Sequence, residues 1–250
     1  MALAPSAVAS AITIQNRAVP LPVVVRDAKT MFATFFVAAA PARRLFPQTG
    51  IRLGEVVPGR TLVSIAAVEH RDGDLGPYHE ISVAFPVRIG HGASWPFVGM
   101  ALDFSAGRAG VYIHQLPVTT AFSCAAGREI WGLPKFLADI DFADAADRRT
   151  AVLRVDGVHA LTLSVKRGGS SSFHDALLHA LAIRDGRIWK TPFEASGEGF
   201  RLGLRGATLE LGEHAIAQEL RTLGLPKRPL LSGWIERMSA RFQPPTLLDA

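Results

Sequence analysis

The stretch Ala151-Val-Leu-Arg-Val-Asp-Gly-Val-His-Ala-Leu-Thr-Leu-Ser-Val165 decides the fold class. Its two halves, Ala151–Val155 and Ala160–Val165, are aliphatic and β-branched, and they flank Asp156-Gly157. Asp-Gly suits a tight turn that needs positive φ, because glycine accepts that conformation without steric cost. A second pair repeats the pattern, with Leu181–Arg184 and Arg187–Trp189 flanking Asp185-Gly186. Tight hairpins join antiparallel strands, whereas parallel strands need long crossovers. Outward from these pairs, Thr30–Val37, Leu62–His70, Tyr78–Val87, Phe97–Phe104, Ala109–Leu116, Leu137–Phe142 and Arg201–Leu211 read as further strands. Pro41–Phe46 reads as a short helix opened by proline. Val118–Glu129 reads as a helix before a break at Gly127, and Glu213–Thr222 as another. Trp234–Phe242 reads as an amphipathic terminal helix, with Trp234, Ile235, Met238 and Phe242 near one face. Strand–helix–strand alternation is absent, which argues against a doubly wound sheet. The expected class is α+β: an antiparallel β-sheet or barrel core enclosing a pocket, with few short helices. Residues 1–20 are expected to form a loose N-terminal arm and residues 21–250 a single domain.

Composition narrows the function classes. The chain has 250 residues, of which 48% are hydrophobic and 20% charged, an ordinary globular balance that excludes a disordered chain. The single cysteine, Cys124, rules out an internal disulfide and a cysteine-based zinc site, and reads as a small buried apolar residue. The apolar run Thr30–Ala42 is interrupted by Pro41 and is shorter than the roughly 20 residues a membrane span needs. The net charge is +5, but the arginines are scattered, with only short pairs at Arg43-Arg44 and Arg148-Arg149. Nucleic-acid binders concentrate basic charge on one face, so neither nucleic acid nor membrane is an expected partner. The first basic residue is Arg17, so the charged start of a secretory signal is missing and a cytoplasmic location is expected.

Several motifs fail. Gly90-His-Gly92 lacks the third glycine of a dinucleotide fingerprint, and no phosphate loop is present. His79-Glu80 is not followed by a second histidine at metalloprotease spacing, and the eight histidines show no tight ligand pattern, so no metal is expected. A serine-hydrolase elbow is absent. Gly168-Gly-Ser-Ser-Ser172 reads as a flexible loop rather than an anion cradle.

One segment carries chemistry. Gly127-Arg-Glu-Ile-Trp-Gly-Leu-Pro-Lys-Phe136 sets Lys135 after a proline and among Trp131, Leu133, Phe136 and Leu137. A lysine with its ordinary pKa of about 10.4 is almost wholly protonated at neutral pH. Burial disfavours the ammonium and lowers that value by roughly 3–5 units, leaving an amine able to attack a ketone and form an imine. On chemistry alone the alternative, a solvated surface lysine, is the commoner case.

The segment resembles the Schiff-base motif of the acetoacetate decarboxylase family, with Lys135 on the nucleophilic lysine. Upstream, Gly76-Pro-Tyr-His-Glu80 followed by Ala84-Phe-Pro86-Val87 resembles that family's Gly-x-Tyr-x-Glu…Pro-Val strand, with Glu80 on its active-site glutamate. Arg43-Arg44-Leu-Phe-Pro47 and Arg241-Phe-Gln-Pro-Pro245 fit as well, so the resemblance spans roughly residues 20–245. It implies an antiparallel barrel, a homo-oligomer, and a small keto acid or other carbonyl substrate. It also implies that no cofactor is needed beyond the covalent imine on Lys135. In the implied reaction Lys135 condenses with a β-keto acid, the protonated imine withdraws electrons as carbon dioxide leaves, and Glu80 shuttles protons. An ionised Glu80 beside Lys135 would oppose the lysine's activation.

The chain also departs from the family. Phe136 stands where the decarboxylases carry a second lysine, a cationic neighbour that activates the first. Ala28 and Ile65 stand at an arginine and an acidic position of the family, and Arg26 or Lys29 is close enough in sequence to restore a cation. Related enzymes of the superfamily run aldol, dehydration or cyclisation chemistry from the same imine, and a barrel that binds a hydrophobic ligand without chemistry is the remaining reading. Among secondary candidates, Tyr78 orients a substrate oxygen or simply packs, and Trp131 is pocket wall. His114 and Gln115 sit late in a strand, so one of them points inward; His114 is a pocket residue or a hydrogen-bonded core histidine. Arg128 lines the site or pairs locally with Glu129, and Phe136 lends apolar surroundings if its ring faces the lysine.

Overall fold

The structure, a computed structural model, describes residues 10–46, 50–88 and 109–248. Seven strands close a barrel: β3 (Val23–Ala38), β6 (Arg60–Gly73), β7 (Tyr78–Arg88), β8 (Ala109–Val118), β13 (Ser171–Arg184), β14 (Arg187–Gly203) and β16 (Leu231–Phe242). Around the barrel the order is β7-β6-β3-β16-β14-β13-β8, and β8 pairs back onto β7. Every contact in that ring is antiparallel except the short parallel pairing of β13 with β8. Short strands β4 (Arg52–Leu53), β5 (Glu55–Val57), β9 (Lys135–Leu137) and β17 (Thr246–Leu248) extend it. A second sheet has the order β10 (Asp139–Asp144), β11 (Arg148–Val155), β12 (Val158–Lys166) and β15 (Ala207–Leu211). A separate hairpin joins β1 (Ser10–Ile14) to β2 (Arg17–Leu21). The helices among the described residues are α1 (Ala39–Arg43), α2 (Ala121–Trp131) and α3 (Ala215–Thr222), and none is long and apolar enough to cross a membrane.

Both Asp-Gly hairpins form as expected. Asp156 and Gly157 join β11 to β12 with φ of 51° and 76°, and Asp185 and Gly186 join β13 to β14 with 53° and 71°. The barrel wall then follows the two-residue period of a strand. Met31, Phe35, Ile65, Ile81 and Phe85 point to one side, where they pack with Leu153, Leu161 and Leu163 of the second sheet and Leu220 of α3. The interior of a barrel this small is filled by its own side chains. The face covered by the second sheet is therefore the outside, and the alternate residues Thr30, Ser64, Val68, His70, Tyr78 and Glu80 face inward.

Four expectations change. Residues 10–20 are not a loose arm: they form the β1–β2 hairpin, and Ile14 and Val19 are fully buried against Tyr78, Cys124 and Trp131. Trp234–Phe242 is not a helix but part of β16, paired on both sides by β3 and β14. Irregularities in the β3 register between Ile235 and Met238, and again before Ala240, reset the alternation. A bulge that changes parity spaces apolar residues three or four apart, as a helix does. Arg201–Leu211 is broken at residues 204–206, where Arg205 takes φ of 56° and the chain leaves β14 for β15 in the other sheet. Leu137–Phe142 is likewise divided between β9 and β10, one in each sheet. The expected strand Phe97–Phe104, the Gly90-His-Gly92 segment and residues 1–9 lie outside the described residues.

Candidate active site

The local sequence explains how Lys135 reaches the interior. Thr120 caps the N-terminus of α2, its hydroxyl accepting from the Ser123 amide. At the other end Gly132 takes a left-handed φ of 66°. Its amide donates to the Arg128 carbonyl, and the Leu133 amide donates to the Gly127 carbonyl. The Gly132 bond is the left-handed cap of a helix C-terminus, a conformation that glycine enters without steric cost. Pro134 cannot continue a helix, and Lys135 opens β9, which pairs in parallel with Leu116–Val118 of β8. Gly127 is not the helix break expected of it: α2 runs through it to Trp131. A Cβ there would lie 2.4 Å from Lys135 Cδ and 2.6 Å from Cε. The missing side chain at residue 127 is the channel through which Lys135 passes.

The lysine is 3% exposed. Its Nζ lies 2.8 Å from Glu80 Oε2, donates a long hydrogen bond of 3.4 Å to Tyr78 Oη, and sits 4.8 Å from the centre of the Tyr78 ring. Tyr78 and Glu80 share the inner face of β7 because they are two residues apart. Across the sheet, Glu80 is opposite Val68, and Tyr78 is opposite His70, which is in turn opposite Ala28. The His70 ring stacks on Tyr78 at 4.2 Å and 15°, and its Nε2 lies 3.9 Å from Glu80 Oε1. Burial pushes the Glu80 carboxyl upward, but the Lys135 ammonium and the His70 ring outweigh it and hold the group down at about 2. Burial, reinforced by the Glu80 charge, pushes the Tyr78 phenol well above its ordinary range, so it remains a donor.

The sequence candidates divide. Lys135, Glu80 and Tyr78 come together. Trp131 is buried in the same cluster as Tyr78, with its indole N–H donating to the Gln243 carbonyl at 3.0 Å. Phe136, next to Lys135 on a strand, points to the opposite side and packs on the outer core, so it does not surround the amine. His114 and Gln115 both turn to Glu219 of α3, at 2.7 and 2.9 Å. They share a side because the β7–β8 register shifts there, Val83 facing Gln115 and Ala84 facing Ile113. Arg128, read as lining the site or pairing locally with Glu129, is exposed on α2. Of the two cations near Ala28, Arg26 is paired with Asp72 and Asp74, and Lys29 with Glu236 at 2.8 Å. His70 was not singled out by its sequence. The signal for it is parity, since Ser64, Ala66, Val68 and His70 alternate on the strand that pairs with Tyr78–Glu80. Among the described residues no cluster of histidine, cysteine or acidic side chains could hold a metal ion.

Comparison with known proteins agrees with the fold. No curated protein matches the chain. Among solved structures, an acetoacetate decarboxylase from Legionella pneumophila subsp. pneumophila str. Philadelphia 1 superposes with a TM-score of 0.67 at 16% identity, covering 98% of this chain and 92% of that one. The enduracididine biosynthesis enzyme MppR, complexed with the condensation product of pyruvate and imidazole 4-carboxaldehyde, gives 0.66 at 14% identity and 97% of both chains. An acetoacetate decarboxylase-like enzyme from Sphingomonas wittichii RW1 gives 0.54 at 14% identity, covering 92% of this chain and 94% of that one. At these identities the likeness is one of fold. The stronger finding comes from the sequence itself: the acetoacetate decarboxylase family model matches residues 8–185, spanning the Tyr78–Glu80 strand, Gly127 and Lys135. With well over half of its length matched, and with both of its quoted motifs inside the match, this chain belongs to the acetoacetate decarboxylase family.

Proposed function

We propose that the chain is a Schiff-base-forming lyase whose nucleophile is Lys135, and that its simplest reaction is decarboxylation of acetoacetate or a related β-keto acid. The observation that carries this reading is a lysine 3% exposed whose amine meets one carboxylate at 2.8 Å inside a barrel. The chemistry follows from the geometry. An ammonium has no lone pair, so Lys135 must first lose a proton, and Glu80 is the acceptor in contact with it. The free amine adds to the substrate carbonyl, and the carbinolamine loses water to give a protonated imine. That imine is the electron sink: the carbon–carbon bond to the carboxylate breaks, carbon dioxide departs, and the enamine takes a proton before water releases the ketone. Tyr78, held in its protonated form, is placed to donate to the substrate oxygen. The small, uncharged Ala28 leaves the carboxylate without a fixed cation, and desolvation of a carboxylate favours its loss.

A second reading, aldol or dehydration chemistry on the same imine, is supported by that same missing anchor. Ala28 is fully buried, Arg26 is committed to Asp72 and Asp74, and Lys29 to Glu236. The two are separated with acetoacetate labelled in its carboxyl carbon. Labelled carbon dioxide released by the wild type and not by Lys135→Ala supports decarboxylation. Adducts on Lys135 with pyruvate or propanal, without carbon dioxide from acetoacetate, support the second reading. An unmodified Lys135 with all three compounds overturns both.

A further inference from the structure

His70 is a buried group that takes no part in the steps above. It is 6% exposed, and neither ring nitrogen has a hydrogen-bond partner. A buried polar atom left unpaired costs stability, so an orphaned histidine on the wall of a reactive site calls for an explanation. Its position supplies one. Nε2 lies 3.9 Å from Glu80 Oε1, while the other oxygen of that carboxylate lies 2.8 Å from Lys135 Nζ. The three groups form a line across β6, β7 and β9, with one carboxylate between two nitrogens.

We propose that His70 is the proton acceptor that frees the Lys135 amine, working through Glu80. This rests on the Schiff-base reading above. In the first step the Lys135 ammonium gives a proton to Glu80 Oε2. In the second, Glu80 passes a proton from Oε1 to His70 Nε2. One N–H bond breaks at Lys135 and one forms at His70; Glu80 ends as the carboxylate it began as, and the total charge is unchanged. The gap of 3.9 Å is longer than a hydrogen bond, and it closes by a small side-chain rotation. The relay removes the conflict between an ionised Glu80 and an activated lysine, since the positive charge moves across the carboxylate instead of being lost.

The imidazolium then has two uses. Imine formation from amine and ketone consumes one proton as the carbinolamine hydroxyl leaves as water, and His70 returns that proton through Glu80. The charged ring also brings a cation into the row Ala28–His70–Tyr78, where the sequence supplies none. The groups facing His70 suit a histidine that gains and loses charge. They are Tyr78 and Glu80 on β7, Lys135 beyond Glu80 on β9, and Asp72 and Asp74 at the rim, both paired with Arg26 of β3.

The test is the rate at which acetoacetate, pyruvate or propanal, each with borohydride, modifies Lys135 from pH 5 to 9. His70→Phe keeps the ring stack on Tyr78 and removes both nitrogens. The expected result is a labelling rate at pH 7 lower by at least tenfold and loss of an inflection in the histidine range, with a denaturation midpoint equal to or above the wild type's. His70→Gln serves if the phenylalanine variant fails to fold, with the same expected loss. A variant that labels at the wild-type rate with the wild-type pH profile overturns the relay alone. A wild type that labels with none of the three probes overturns the Schiff-base reading and the relay with it.

Discussion

Two buried cations in this molecule look almost alike. Lys135 has a carboxylate at 2.8 Å and sits 4.8 Å from the centre of an aromatic ring. Arg149 of β11 is 5% exposed, has Glu69 of β6 at 2.8 Å, and sits 4.5 Å from the Phe142 ring centre. The difference lies in what surrounds each pair and in what each cation can give up. Arg149 joins the second sheet to the outer wall of the barrel and meets a further carboxylate, Asp144, at 3.6 Å. A guanidinium does not deprotonate in a protein, so this pair can only hold two layers together. Lys135 faces inward, has one carboxylate, and has an unpaired histidine on the far side of it. Burial and ion-pair distance therefore do not mark a reactive site. What sets the Lys135 pair apart is a cation able to shed its proton and an unpaired histidine beside its carboxylate.

Lys135→Arg makes the two sites chemically equivalent: it keeps the charge opposite Glu80 and is expected to abolish borohydride-trapped adducts, a loss of more than about a thousandfold read by intact mass. Arg149→Met strands Glu69 and is expected to destabilise the fold by about 3–5 kcal/mol in urea unfolding, while Lys135 labels at the wild-type rate.

Acid sensitivity separates the pairs next. Glu80 is held at about 2, below the ordinary glutamate value. A depressed carboxyl contributes stability that is present above the unfolded pKa and is lost as pH falls through the folded one. The Glu80 contribution, about 3 kcal/mol for a shift of this size, is thus expected to be lost between pH 4.5 and 2. Stability curves of Glu80→Gln over that window should be flatter than those of the wild type. The smallest effect is steric. Gly127→Ala places a methyl 2.4 Å from Lys135 Cδ, and the displaced amine is expected to label about tenfold more slowly, although alanine favours the helix.

What the sequence disclosed follows the range of the interaction involved. Asp156-Gly157 and Asp185-Gly186 are local turn chemistry, and both hairpins were legible. Lys135, Glu80 and Tyr78 were legible through motif resemblance, and the burial of Lys135 was expected from its apolar neighbours. Phe136 misled because neighbours in sequence are opposites on a strand. Trp234–Phe242 misled because bulges gave a strand the spacing of a helix. Residues 10–20 look small and featureless, yet Ile14 and Val19 are buried in one cluster with Tyr78 and Trp131, far along the chain. His70 ends the expected strand Leu62–His70 and is flanked by the charged Glu69, Arg71 and Asp72. Only cross-strand pairing to Ala28 and Tyr78 buries it. Long-range pairing was the part that local patterns did not carry.

If Lys135 is the reactive amine, a peptide map of the protein after incubation with acetoacetate and reduction by borohydride shows one stoichiometric adduct on the Lys135 peptide, with Lys29, Lys166, Lys190 and Lys227 unmodified. An adduct spread over those other lysines, or one that spares Lys135, would contradict it.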